Sequence, residues 1–265
     1  MTKKEKEETT IPKDHPRYQS LKFRHKIVEG MKNLVVAEAG LIAHGRGECF
    51  DYILGERTNE SAKKAIKAAV ALLLLSKKPV ISVNGNTAAL VPMELVQLSK
   101  LINAPLEINL FYRKKGRVEA IKRILEQAGA TDIRGTEEDK LEEIEGLSSQ
   151  RRFVEAIKDS DCIMIPLEDG DRTEALKKIG KKIIAVDLNP ISRTSLWADV
   201  TIVDNIVRAL PKMINVAKEL KTINRDQLKE IITDFNNKEN IKSSLDLIIK
   251  YIEAQKKDAF KILHD

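Results

Sequence analysis

The sequence predicts an α/β fold built on a Rossmann-like, doubly wound and mostly parallel sheet with helices on both faces. Short apolar runs alternate with amphipathic segments of helical spacing from about residue 61 to about residue 220. The runs are almost continuously apolar, which is typical of parallel strands that are buried on both faces. A helical and glycine-rich segment precedes this alternation, and two amphipathic segments follow it. With 265 residues, the chain is long enough to bury a core of this kind.

These patterns predict the elements in chain order. The first helix should begin near Pro16 with Asp14 as its cap, and a turn-rich stretch should occupy residues 39–48. Strands are then predicted at 79–83, 106–111, near 132, 162–167, 183–188 and 200–203, and helices at 61–76, 92–102, 117–128, 150–159, 172–179 and 206–220. Residues 136–147 are charged and should be poorly structured, and the chain should end in helices at 225–235 and 241–260.

Composition divides the chain into three parts. Residues 1–10 are polar and are expected to form a disordered tail. Residues 11–222 should form a single α/β domain, and residues 223–265 a C-terminal helical extension packed on it.

Charge and cysteine content exclude several classes of protein. The net charge of +6 favours anionic partners, but aromatic residues make up only 4% and acidic and basic residues are interleaved, which argues against a nucleic-acid partner. Phosphorylated small molecules fit better. Cys49 and Cys162 form no Cys-x-x-Cys pair, so neither a zinc ribbon nor a disulfide-stapled domain is expected. The polar N-terminus and an apolar run too short to cross a bilayer predict a cytoplasmic protein without a membrane partner.

Polar clusters follow nearly every predicted strand and therefore share one rim of the sheet. They comprise residues 84–87, 112–113, 168–173, 187–194 and 204–205. In an open parallel sheet ligands bind outside the carboxyl ends of the strands, which places the site at this rim. The same residue types also cap helices, and for Asp204 and Asn205 a cap is a complete explanation. Asp169 and Asp171 could hold Mg²⁺, or simply cap the next helix.

Three arginines near the N-terminus are candidates for binding phosphate. Arg17 and Arg24 are seven residues apart, so a helix would place both on one side, about 10 Å apart along its axis. Such a pair could span a triphosphate, or it could form a solvated basic edge. Arg46 lies between Gly45 and Gly47, where backbone amides and a guanidinium could together cradle an anion.

Several common catalytic motifs are absent from the sequence. Residues 40–47 lack the Lys-Ser/Thr ending of a phosphate loop, and no Gly-x-Gly-x-x-Gly follows a strand. No His-Glu-x-x-His or Gly-x-Ser-x-Gly is present. His44 could carry a proton beside the glycine-rich stretch, or it could be a structural histidine.

Several strings of residues, in order, resemble archaeal phosphopantothenate synthetase, the 4-phosphopantoate–β-alanine ligase family. They lie at residues 11–24, 40–48, 81–86, 109–113, 166–175, 186–194 and 201–205. Residues 130–160 and the C-terminal helices are not diagnostic, and Cys49 stands where the family tends to have alanine.

The resemblance implies an ATP-binding ligase domain at residues 11–222 in a cytoplasmic homodimer. The reaction would condense 4-phosphopantoate with β-alanine and convert ATP, with Mg²⁺, to AMP and diphosphate through an acyl adenylate. The implied ATP contacts are Arg24, Arg46, Asp187, Leu188, Asn189, Arg193, Thr194, Asn205 and Ile206. The candidate substrate contacts are Arg17, Asn84, Asn86 and Arg113, and the candidate proton acceptors are His44, Glu48 and Asp169. The alternative is a non-catalytic protein that senses ATP or coenzyme A at the same rim.

Overall fold

The computed structural model describes residues 11–15, 17–111, 113–137, 142–143 and 153–262, and its centre is a six-stranded parallel sheet. The strands are β1 (Pro79–Val83), β2 (Leu106–Ile108), β3 (Ile133–Arg134), β4 (Glu142–Glu143), β5 (Phe153–Val154), β6 (Cys162–Pro166), β7 (Lys182–Val186) and β8 (Val200–Ile202). The sheet order is β3-β2-β1-β6-β7-β8, and β4 and β5 form a separate antiparallel pair. The doubly wound α/β prediction is confirmed. The strand order reverses between β1 and β6, where such sheets bind their ligands.

Helices cover both faces of the sheet. They are α1 (Tyr18–Lys32), α2 (Glu38–Ile53), α3 (Glu60–Leu75), α4 (Gly85–Leu90), α5 (Pro92–Ile102), α6 (Lys115–Gln127), α7 (Ala156–Asp159), α8 (Gly170–Lys178), α9 (Arg193–Trp197), α10 (Ile206–Leu220), α11 (Arg225–Thr233) and α12 (Asn237–Ile262). Alternate strand residues point to opposite faces. Ile81 and Met164 belong to the larger core with α3, α5, α6 and α10, whereas Val80 and Ile163 face the smaller core with α7 and α8.

Residues 39–48 form part of α2, so the predicted turn-rich stretch is wrong. The helix forms despite its three glycines because one of them allows close packing on α4. A Cβ atom on Gly40 would lie 2.3 Å from Oδ1 of Asn86. Amides inside a helix bond to the carbonyl groups of the preceding turn. The anion cradle of backbone amides expected around Arg46 is therefore also wrong, although its side chain remains available.

Other elements also differ from the predicted ones. Helix α1 begins at Tyr18 with Arg17 as an N-cap that makes no side-chain capping bond, so Asp14 is not the cap. Strand β2 ends at Ile108. The helix expected over 150–159 is reduced to α7, because β5 occupies the residues before it. Helix α4 replaces an expected loop, since Asn84 and Thr87 form a capping box.

Some predictions lie outside the described residues. They concern the tail at 1–10, Pro16, Tyr112 and most of the charged stretch at 136–147.

The C-terminal helices pack on the sheet and on α3. Leu228 of α11 is buried in the larger core. Ser244 of α12 is hydrogen bonded to Ser61 at 3.0 Å. Asn237 accepts from the backbone N–H of Thr201 at 2.8 Å, and Asn240 donates to the carbonyl oxygen of Thr201 at 2.9 Å. Among the described helices, none is both long and apolar enough to span a membrane.

Gly85, the first residue of α4, contacts the connection between α1 and α2 too closely to carry a side chain. A Cβ atom there would lie 2.1 Å from the carbonyl oxygen of Val35. We expect Gly85→Ala to lower the free energy of unfolding by about 1–3 kcal/mol, the usual cost of overpacking, measured by urea denaturation. Gly116→Ala is the matched control, since its Cβ would meet only Leu34 at 3.9 Å. Equal denaturation midpoints for the two variants would contradict this account.

Candidate active site

A cavity of about 340 Å³ opens at the carboxyl ends of β1 and β6, where the strand order reverses. One wall is α2, which contributes His44, Arg46 and Glu48. The floor consists of residues that follow β1, β2 and β6, and the far wall includes the start of α10. The predicted rim therefore contains a cavity.

Two asparagines after β1 hold the cavity in shape. The amide of Asn84 donates to the carbonyl oxygens of Pro166 and Leu167, both at 3.0 Å, which ties the end of β1 to the end of β6. The amide of Asn86 donates to the carbonyl oxygen of Gly40 at 2.9 Å and ties α4 to α2. Both side chains line the cavity, as expected for substrate contacts, and these hydrogen bonds also connect parts of the fold.

A buried chain of polar side chains lies beneath the floor. The carboxylate of Glu168 lines the cavity, and its Oε2 lies 3.6 Å from Nε of Arg172. Arg172 is 2% exposed and donates through Nη1 to Oδ1 of Asn109 at 2.7 Å. Asn109 donates in turn to Glu107, which accepts the backbone N–H of Ile157 at 2.8 Å. Sequence reasoning missed this chain, although an acidic residue inside the apolar run 106–111 was a visible signal.

His44, Glu48 and Arg24 meet where α1 crosses α2. Nε of Arg24 lies 2.9 and 2.8 Å from the two carboxylate oxygens of Glu48. Burial lowers the pKa of His44, with Arg24 adding to this effect and the Glu48 carboxylate opposing it. The Nε2 atom of His44 is buried and has no hydrogen-bond partner among the described residues. The imidazole is therefore neutral near pH 7 and can exchange a proton with a ligand.

The side chain of Arg46 makes no hydrogen bond or ion pair within the described part of the chain, whereas Arg24 and Arg208 are held in ion pairs. Arg46 is exposed and lines the cavity, and a Cβ atom on the neighbouring Gly47 would lie 3.5 Å from Cδ1 of Leu188. A guanidinium in this position can bind an anionic ligand without first leaving a protein partner.

Only some of the ATP contacts implied by the resemblance reach the cavity. Leu188, Asn205 and Ile206 line it together with Arg46. Four others do not line it and are held by protein partners, namely Asp187 and Asn189 after β7 and Arg193 and Thr194 at the start of α9.

The partners of these four residues explain their positions. Burial raises the pKa of Asp187, and hydrogen bonds from Ser192 and from the backbone of Asn189 oppose that shift, as does the charge of Arg46. Arg193 pairs with Asp171 at 2.6 Å and with Glu174. Thr194 donates to the carbonyl oxygen of Glu168 at 2.9 Å.

A second cavity of about 350 Å³ lies on the other side of α2, between α1 and the start of α10. His44, Glu48 and Asn205 line both cavities and so separate them. Arg17 borders the second one and stacks on Tyr52 of α2, its Cζ 4.8 Å from the ring centroid. Arg17 and Arg24 thus both face α2, in agreement with their helical spacing.

Sequence reasoning also missed Arg208, which organises the boundary between the cavities. It binds Asp51 at 2.5 Å and Asp204 at 2.7 Å, while Asn205 donates to Asp51 at 2.8 Å. Asn205 caps α10, which is the role that a helix cap alone would explain, and it also lines both cavities. An arginine four residues after an aspartate was the available signal.

The two arginines that follow β2 have different environments. Arg113, a predicted phosphate ligand, donates to the carbonyl oxygen of Gly135 at 2.6 Å and does not line the cavity. Arg117 does line it, and its Nη2 donates to the carbonyl oxygen of Val35 at 3.1 Å. Burial lowers the pKa of Arg117. Nothing in the sequence distinguished Arg117 from the other cations of α6.

The two aspartates considered for Mg²⁺ have protein partners. Asp169 caps α8 by accepting the N–H of Arg172 at 3.1 Å, and Asp171 pairs with Arg193. Across the described residues, no three His, Cys, Asp or Glu side chains are grouped so that they could hold a metal ion. Within the described residues, Asp169 and Asp171 are therefore engaged by the protein and do not form a magnesium site together.

Comparison with known proteins agrees with the resemblance noted in the sequence. Residues 61–251 match the family model described as phosphopantothenate/pantothenate synthetase. The chain is similar to the 4-phosphopantoate–β-alanine ligase of Thermococcus kodakarensis, with 53% identity over 86% of this chain and 87% of that protein. It is similar also to the ligase of the same name from Methanosarcina mazei, with 46% identity over 93% of this chain and 97% of that protein. The chain therefore belongs to the phosphopantothenate/pantothenate synthetase family.

Proposed function

We propose that this protein is an ATP-dependent ligase that joins 4-phosphopantoate to β-alanine and forms 4′-phosphopantothenate. The observation that carries the proposal is the match to relatives named 4-phosphopantoate–β-alanine ligase, at 44–53% identity over 86–93% of this chain. The cavity at the strand reversal supports it, because its walls offer cationic and amide groups suited to phosphorylated ligands.

An acyl adenylate is the intermediate that we propose. A carboxylate repels nucleophiles at neutral pH, so an oxygen of the acid first attacks the α-phosphorus of ATP and expels diphosphate. The amine then attacks the activated carbonyl carbon and expels AMP. Charge builds on the diphosphate as it leaves, and a cation that binds it more strongly at that moment accelerates the reaction. We assign this stabilising role to Arg46, which lines the cavity. Arg24 can also bind the diphosphate when its ion pair with Glu48 breaks.

The two ends of the cavity suit different parts of the reaction. We place the nucleoside of ATP near Leu188, Asn205 and Ile206, and the triphosphate toward Arg46. The acid would occupy the end lined by Asn84, Asn86 and Arg117. The phosphate of 4-phosphopantoate needs a cation, and Arg117 meets that need better than Arg113, which lies outside the cavity.

We also propose that the enzyme acts as a cytoplasmic homodimer and takes ATP as its magnesium complex. The family resemblance supports these three statements. Because Asp169 and Asp171 have other partners, Mg²⁺ would enter on the phosphates of the nucleotide as part of the substrate. The non-catalytic sensor considered from the sequence gains no support from the relatives, which are named as ligases.

The test is mass spectrometry of the products that the purified protein forms from ATP, 4-phosphopantoate and β-alanine. We expect 4′-phosphopantothenate, AMP and diphosphate in equal amounts, because the adenylate route splits ATP between its α- and β-phosphorus atoms. Omitting either organic substrate should abolish the amide product. ADP in place of AMP would replace the adenylate by an acyl phosphate, and no amide product would refute the proposed function.

A further inference from the structure

We propose that Glu168 holds the ammonium group of the amine substrate and accepts its proton before the carbon–nitrogen bond forms. The inference rests on the ligase function proposed above and names one catalytic residue within it. Glu168 was not among the proton acceptors that the sequence suggested.

The position of Glu168 is the first argument. It lies two residues after the end of β6, at the reversal of strand order, and lines the cavity together with Asn84. Its side chain is 10% exposed, and the residue lines the cavity. Oε1 accepts the N–H of Asp169 at 3.1 Å, and carboxylate oxygens have capacity for further donors. A buried carboxylate in a cavity is a strong and selective ligand for an ammonium group.

The electrostatic setting of Glu168 suits a proton acceptor. Burial raises its pKa, and the charge of Arg172 opposes that shift. The group is therefore a stronger base than a solvated glutamate, and the ion pair still favours its charged form. A base with these properties accepts a proton at neutral pH more readily than an exposed carboxylate.

The three candidate proton acceptors suggested by the sequence suit this role less well than Glu168. Both oxygens of Glu48 lie within 2.9 Å of Nε of Arg24. Asp169 uses its carboxylate to cap α8. His44 has a pKa lowered by burial, so its neutral ring offers no charge to attract an ammonium group. Glu168 combines a negative charge, burial and a place in the cavity.

Arg172 acts as a positioning residue for Glu168. It is fully buried, and its guanidinium is held by Asn109 at 2.7 Å. Asn109 is fixed by Glu107, which the backbone N–H groups of Glu155 and Ile157 anchor at 3.1 and 2.8 Å. Because this chain fixes Arg172 beneath the floor, Glu168 stays at the cavity surface.

The proton balance of amide formation defines the role. The ammonium nitrogen gives up two protons in all. Glu168 takes the first, which frees the lone pair for attack on the carbonyl carbon of the adenylate, and later releases that proton to water. As the C–N bond forms and the C–O bond to AMP breaks, AMP leaves with the electron pair, and the second proton passes to water.

The test compares three reactions of Glu168→Gln with those of the unaltered enzyme. Exchange of labelled diphosphate into ATP, with 4-phosphopantoate and without amine, reports adenylate formation and should change less than about 3-fold. Amide formation with β-alanine should fall by roughly 10²-fold, within the range for loss of a general base. Hydroxylamine is uncharged at neutral pH and needs no base before it attacks, so hydroxamate formation should persist.

Two further variants complete the test. Glu168→Asp keeps a negative charge opposite Arg172, so it controls for misfolding caused by loss of that ion pair. It should lose amide formation while it retains diphosphate exchange. Glu219→Gln, exposed near the end of α10, is the matched control and should leave all three reactions unchanged. Unchanged amide formation in Glu168→Gln, or equal loss of exchange and amide formation in Glu168→Asp, overturns the inference. Absence of exchange in the unaltered enzyme would instead refute the adenylate mechanism.

Discussion

Replacing Arg46 by alanine is expected to lower kcat/KM for AMP formation by roughly 10²–10³-fold, the usual cost of losing one group that stabilises transition-state charge. Arg46 lines the cavity and makes no ion pair within the described part of the chain, so its charge is available to a ligand. The loss should appear in kcat as well as in KM, because charge on the diphosphate grows as the bond breaks. Steady-state kinetics with varied ATP measures both.

Two variants sharpen this prediction. Arg46→Lys keeps the charge but not the planar fork of donors, and it should recover only part of the activity. Arg123→Ala removes an exposed arginine of α6 as a matched control and should leave kinetics unchanged. Unaltered kinetics in Arg46→Ala would remove Arg46 from the mechanism.

Replacing Arg172 by methionine is expected to lower the free energy of unfolding by about 3–5 kcal/mol, the cost of breaking a buried ion pair by removing one partner. Arg172 is 2% exposed, and both Glu168 and Asn109 direct oxygen atoms toward it. Without the guanidinium, the Glu168 carboxylate would be buried with no opposite charge. Urea denaturation at neutral pH measures the loss.

The pH dependence of this loss of stability shows whether it comes from the unpaired charge of Glu168 or from packing. Burial already raises the pKa of Glu168, and removing Arg172 should raise it further. Protonation then relieves the penalty, so the difference in stability between the two proteins should shrink as the pH falls toward the carboxyl range. Adding Glu168→Gln to Arg172→Met should restore part of the stability at neutral pH. A loss independent of pH would attribute the effect to packing alone.

The sequence allowed the sheet to be predicted well, because buried parallel strands are nearly continuous in apolar residues. It misassigned α2, since glycine frequency was read as a turn signal. The packing that overrides it, between Gly40 and Asn86, joins residues that are distant in the chain. Tertiary contacts of this kind leave no local pattern.

The location of the candidate site at one rim of the sheet could be predicted from the sequence, but only some of the side chains that line it could. Polar residues after each strand placed the cavity, and Arg46, Leu188 and Asn205 do line it. Arg117 and Glu168 were overlooked because a cation on a helix and an acid after a strand look ordinary in isolation. Their significance depends on burial, which only the assembled fold supplies.

The hydrogen bonds that α12 makes to Thr201 also bear on how the folded molecules behave at high concentration. A terminal strand of a sheet offers free N–H and C=O groups that can recruit a strand from another molecule. Strand β8 is terminal, and Asn237 and Asn240 occupy both backbone groups of Thr201. The two amide side chains thus make the hydrogen bonds that a neighbouring strand would make at Thr201, and α12 disfavours the pairing of this edge with a strand of another molecule.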